Sequence, residues 1–201
     1  MVDASVTVSP RQRNTREENK MIKEGKGDER WTDKPDEKRH KDRDARWTKK
    51  NHETFYGYKN HAKVDTRSKF IDKYKVTDAS VHDSQPLEDL LTEKDEGQDF
   101  HADSAYTGEG PEKVISKYKL NNKVHQKGYR NKPLTEEQQA SNHEKSKTRA
   151  RVEHVFGFME QSMNGLCLKS VGITRATGII GLINLTYNLF RYEQVVRLNM
   201  L

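Results

Sequence analysis

The chain has 201 residues, 37 Lys and Arg against 31 Asp and Glu, and a net charge of +6. That length allows one domain with a real core, yet 31% hydrophobic content and a mean hydropathy of −1.11 leave some segment outside it. A single cysteine, Cys167, excludes an internal disulfide and a zinc–cysteine module.

In chain order, MVDASVTVSP predicts a strand, because Val2, Ala4, Val6 and Val8 alternate with polar residues until Pro10. Asp3 then points away from the apolar side. The stretch carries neither the basic nor the apolar region of a leader. Residues 11–53 are nearly all charged or polar, without a period that could build a core, and read as a mobile insertion with Trp31 and Trp47 as local anchors. Two β-rich runs flanking DTRSK predict an antiparallel hairpin. VHDSQPLEDLL predicts a helix capped by Asp83 or Ser84, with His82 beside it.

DFHADSAYTG predicts a short strand running into a turn, EGPEKVISKYKL a helix, and NNKVHQKG another short strand. A polar link, YRNKPLTEEQQASNHEKS, follows. In the next helix Val152, Val155, Phe156, Met159, Met163 and Leu166 form one apolar stripe. A last helix, 174–198, is apolar enough to pack against the body, and its Tyr187–Tyr192 aromatics predict core packing. Its most apolar run, 178–190, is too short and interrupted to span a bilayer. The order is that of an α/β layer architecture. Basicity points to a polyanionic partner, most simply nucleic acid, and the one reduced cysteine to a cytoplasmic chain with no membrane partner.

Three acids stand at comparable places: Asp3 on the first strand, Asp103 at the end of a later one, Glu153 on a late helix. Each has a bland reading. Glu153 suits an i,i+4 pair with Arg149, worth about 0.2–0.5 kcal/mol, and Asp103 suits a cap for the turn before Thr107 and Gly108. Phosphodiester chemistry asks for more, namely two or three converging carboxylates that hold hard divalent cations within a positive surround. Lys145, Lys147, Arg149 and Arg151 lead into the Glu153 helix, where phosphate contact is the expectation. His61, His101, His125 and His154 lack ligand spacing.

The blocks MVDASVTVSP, YGYKNHAKVDTRSKFI, VTDASVHDSQPLEDLL, DFHADSAYTG and TRARVEHVFGFMEQ together resemble, in order, bacterial insertion-sequence transposases of the DDE type. The resemblance leaves out most of 11–53. It implies a ribonuclease-H-like α/β fold, with a mixed sheet of about five strands flanked by helices. It also implies Asp3, Asp103 and Glu153 as catalytic metal ligands, Mg²⁺ or Mn²⁺ as cofactor, and Arg149 on DNA phosphate. Element ends and target DNA would be the partners, with a homodimer or an intact transposase as a further one, in a nucleoid-associated setting. Glu160 departs from the family's usual cation seven residues after the glutamate. The resemblance further implies an end-recognition segment ahead of Asp3; the chain starts two residues before it and is read as truncated. A non-catalytic remnant that binds DNA or inhibits an intact enzyme, and a nuclease of the same fold, are the rival expectations.

Overall fold

A computed structural model describes residues 1–10, 14–50, 52–130, 132–163 and 167–199. Its centre is a 12-residue strand, β3 (Glu53–Val64), whose β-branched and aromatic residues suit a pleated surface buried on both faces. The opening strand β1 (Val2–Val8) pairs antiparallel along one edge of β3. Along the other edge run β4 (Ile71–Asp78) and, farther on, β2 (Arg46–Lys50). Gly57 lies between Val8 and Arg46. A Cβ there would stand 2.2 Å from the Thr7 carbonyl oxygen, so only glycine permits this approach.

Two short strands, β5 (Asp99–Phe100) and β6 (Asn121–Asn122), pair in parallel. The Val2 amide donates to the His101 carbonyl at 3.1 Å and ties this pair to the free edge of β1. Instead of one sheet of about five strands, the described residues form four antiparallel strands and a parallel pair joined at that point.

Alternation sorts the two faces. Ala62 and Val64 meet Val152, Val155 and Met159 of the long helix α6 (Glu136–Gln161). On the opposite face Val2 meets Leu87 and Leu90 of α4 (Leu87–Leu90), Tyr106, and Ile115 of α5 (Glu109–Lys117). The predicted stripe is buried from Val152 to Met159; Met163 lies just beyond the helix end and Leu166 outside the described residues.

Several local expectations are corrected. The polar link is half helix: a Thr135–Gln138 capping box starts α6, and strong helix formers carry it. With no apolar residue at regular spacing before Val152, periodicity had nothing to register. Asp83 caps no helix; α4 begins later, and Asp83 instead pairs with Lys59 at 2.8 Å. Residues 14–50 are not structureless. They hold α1 (Arg16–Lys23), begun by a Thr15–Glu18 capping box, then α2 (Gly27–Arg30), α3 (Pro35–His40) and β2. Trp31 is the anchor of this segment, 1% exposed, its indole N–H donating to Glu37. Trp47 instead lies open, its ring 5.0 Å from Tyr56.

The loop before β2 is fastened by Asp42, which is fully buried. Its carboxylate accepts from the Tyr58 hydroxyl at 2.7 Å, from Ser9, from the Asp44 and Ala45 amides, and from the Gly172 amide. Asp44 accepts from the Ile173 amide at 2.9 Å. Two acids from this loop therefore satisfy the free N–H groups at the start of α7 (Ile173–Arg197), the C-terminal helix.

Farther along α7, Asn184 exchanges amide hydrogen bonds with Asn60, Asn188 brackets the Ile71 backbone, and Arg191 donates to the Ser68 carbonyl. These polar contacts fix its register on the sheet. Of the aromatics expected in the core, Tyr187 is buried while Phe190 and Tyr192 face outward. No described helix is long and apolar enough to cross a membrane.

Candidate active site

Three separate elements carry the predicted acids, and an arginine links two of them. β1 presents Asp3 on the same face as Ala62, the side covered by α6, and the Ala4 amide donates to its Oδ1 at 2.8 Å. Asp103 follows β5, at the head of a single 3₁₀ turn (Ser104–Tyr106), and its Oδ1 accepts from the Ala105 amide at 2.8 Å. Glu153 projects from α6 one turn beyond Arg149 and is ion-paired with it.

Arg149 bridges two of the acids, and the field of Asp3 also reaches it. One guanidinium nitrogen holds Glu153, and another lies 3.9 Å from Asp103 Oδ2. Burial works against the charge of Arg149. The Glu153 hydrogen bond and the fields of Glu153, Asp3 and Asp103 outweigh it and raise its pKa. Asp3 responds in the other sense. Burial pushes its carboxyl up to about 6 and Asp103 adds to the rise, against the Ala4 amide, Arg149 and Lys50.

Both bland contacts are therefore present: the i,i+4 pair at Glu153 and the turn cap at Asp103. Among the described residues no three acids, histidines or cysteines are arranged to hold a metal ion together. The chemistry of the donors nevertheless suits Mg²⁺ or Mn²⁺, since all three are carboxylates and two of them face a cation, the Arg149 guanidinium.

The four basic residues divide between two flanks of α6. Lys145 donates to the Val124 carbonyl at 3.0 Å, on the side where Arg149 meets Asp103. Lys147 pairs with Glu144 at 2.6 Å, and Arg151 donates to the Thr66 carbonyl at 2.7 Å. All four thus have partners within the chain.

Tyr106 received no role from the sequence, although it belongs to the ADSAY block. It is buried, and its hydroxyl has no hydrogen-bond partner among the described residues. Burial holds its pKa well up, and the charges of Asp3, Asp83 and Asp103 add to this. Only the position beside Asp103 signalled it.

His61, on the opposite sheet face, gives a pH test. It is fully buried with Nε2 2.8 Å from the Thr77 hydroxyl. Burial lowers its pKa to about 4; Asp83 opposes this and Lys59 assists it. With a folded value below the ordinary 6.5, its contribution to stability is complete above about pH 6.5 and is lost as pH falls toward 4. Asp3 acts oppositely, favouring the fold at low pH and losing that contribution between about 4 and 6. His61→Gln retains the Asp3 effect, so its melting temperature is expected to fall less than that of the wild type between pH 7 and 5. Parallel curves for the two proteins would refute this assignment.

A mixed α/β layer with a helix-borne arginine between two acids points to a class. The chain matches the family of transposase DDE domains over residues 11–189 and belongs to it. The match includes the 11–53 stretch that the block resemblance left out. Asp103 and Glu153 lie within it, and Asp3 precedes it. Among individual proteins, the chain is similar to the transposase for insertion sequence element IS1106 of Neisseria meningitidis serogroup B, with 36% identity over 121 residues. That alignment covers 60% of this chain and 42% of the relative, so the chain spans less than half of that protein's length. No solved structure matches.

Proposed function

We propose that this chain is a DNA transposase catalytic domain with a ribonuclease-H-like arrangement of strands. It would cut DNA strands at the ends of a mobile element and join them to target DNA. The observation that carries this reading is Arg149 held between Asp103 and Glu153, with Asp3 near enough for its charge to act on Arg149 and for that of Asp103 to act on Asp3. Family membership supports it. So does the sheet edge, where the Val2 amide donates to the His101 carbonyl, one residue before Asp3 and two before Asp103.

Asp3, Asp103 and Glu153 would hold Mg²⁺, with Mn²⁺ as a substitute; the ion, when bound, neutralises charge on the phosphodiester oxygens and lowers the pKa of water. The remaining work belongs to this chain. The raised Asp3 carboxyl must give up its proton before it can serve as a ligand, so ligation strengthens as pH rises through about 6. Arg149, now engaged with two of the acids, is a cation within reach of any phosphate brought to them. In the first step water attacks phosphorus and the 3′ oxygen leaves as a hydroxyl. In the second, that 3′-hydroxyl attacks a target phosphodiester and displaces its 3′ oxygen. Positioning and charge neutralisation, rather than a covalent enzyme intermediate, would provide the rate enhancement.

Melting temperature tests the metal part directly. At a metal concentration about 100 times Kd, linkage contributes about 2.7 kcal/mol, a rise of roughly 5–10 °C for a chain of this size. The wild type is expected to show that rise with Mn²⁺, and Asp103→Asn is expected to lose most of it. Equal shifts in both proteins would remove the metal reading.

A further inference from the structure

The basic residues of α6 are occupied inside the molecule; those of the preceding loop are not. From Lys113 to Thr135 the chain contains seven Lys and Arg and no acid. Lys113, Lys117 and Lys119 pair with Glu109, Glu88 and Glu96. Lys123, Lys127, Arg130 and Lys132 are exposed, and none has a carboxylate partner among the described residues.

The loop carrying these four cations is anchored to the acid cluster. The Lys123 amide donates to the Phe100 carbonyl at 2.8 Å, and the His125 amide to the Ala102 carbonyl at 3.2 Å, one residue before Asp103. From the other side, His125 Nε2 lies 2.9 Å from the Ser146 hydroxyl on α6. Asn142 exchanges two hydrogen bonds at 2.9 Å with the Gln126 backbone. The strap is thus fixed between the segment that runs from β5 to Asp103 and the helix that carries Glu153.

Beyond these anchors the chain makes a turn closed by two 3.0 Å hydrogen bonds between the Tyr129 and Lys132 backbones. At its tip Tyr129 is 62% exposed, with the Lys127 ammonium 5.9 Å from its ring centre. An open aromatic face among cations without carboxylate partners, held beside the segments that carry Asp103 and Glu153, matches what a nucleic-acid strand presents: phosphates on one side and flat bases on the other.

We propose that the strap formed by residues 123–130 and 132 is a nucleic-acid contact that follows phosphates with Lys123, Lys127, Arg130 and Lys132 and stacks one unpaired base on Tyr129. The proposal deepens the transposase reading by naming a surface for the strand next to the scissile bond. The contact itself needs no turnover.

The test is fluorescence anisotropy of the full chain in EDTA, with a short single-stranded oligonucleotide and a duplex of the same length, across a salt series. The variant carrying Lys127→Ala, Arg130→Ala and Lys132→Ala is expected to bind the single strand with a salt slope shallower by about 2. Tyr129→Ala is expected to lose roughly 5- to 100-fold on the single strand and little on the duplex, while Tyr129→Phe keeps wild-type binding. An unchanged slope in the triple variant overturns the proposal. So does single-strand binding by Tyr129→Ala equal to wild type, or a selective loss of binding to anionic lipid vesicles with DNA binding intact. Metal-dependent plasmid nicking, measured in parallel, separates the two readings. Absent nicking with the binding pattern above leaves the strap in place, and nicking with no strap effect leaves the catalytic reading alone.

Discussion

Glu153→Gln is expected to abolish metal-dependent nicking of supercoiled plasmid, with a loss on the order of 10³-fold or more, as when a group that stabilises transition-state charge is removed. The substitution keeps the shape of the side chain and removes its charge. Its structural cost is small, because the Glu153 side chain is 52% exposed and its ion pair with Arg149 is of the i,i+4 kind. Such a pair contributes about 0.3–0.5 kcal/mol. Melting temperature should therefore hardly move while nicking disappears, which separates chemistry from unfolding. Nicking by the purified variant at the wild-type rate would show that the observed cleavage does not use this carboxylate.

Asp42→Ala should act the other way, with a large loss of stability. The deletion strips acceptors from the Tyr58 and Ser9 hydroxyls and from the Asp44, Ala45 and Gly172 amides. Each buried donor left without a partner costs about 1–3 kcal/mol. Allowing for relaxation, a total of about 3–5 kcal/mol corresponds to a fall in melting temperature of roughly 10–15 °C. Asp42→Asn, which keeps one acceptor oxygen, should fall between the two. Denaturation curves of the three proteins provide the check, and an Asp42→Ala midpoint within a degree of wild type would mean that these hydrogen bonds contribute little to stability.

How far the fold was legible follows from where its signals lie. β1, the β3–β4 hairpin and α7 announce themselves because alternation or a continuous apolar run is written within each segment. The first half of α6 carries only surface residues, and its helicity rests on propensity and a cap. The helices of residues 16–40 bury little beyond Ile22 and Trp31, too few positions to make a period. Asp42 was invisible for a different reason: its partners at Ser9, Tyr58 and Gly172 are brought to it only by the finished fold.

The candidate site divides along the same line. ADSAY and RARVEH drew attention to Asp103 and Glu153, and strand alternation set Asp3 apart from its apolar neighbours. The placement of Arg149 across two of the acids, the unpartnered Tyr106 hydroxyl and the Lys59–Asp83 pair depend on distances between elements, which no single-chain pattern encodes. Asp83 shows the hazard most plainly. Its position before a proline-led turn suits a cap, and a lysine more than 20 residues upstream claims it instead.

The clasp between Asp42 and the first turn of α7 spans 130 positions of the chain. During synthesis, the loop before β2 emerges long before the amides that complete its hydrogen bonds. The sheet face that α7 covers must wait equally long for its lid. A ribosome stalled short of Gly172 would therefore hold strands whose covering helix has not yet been made.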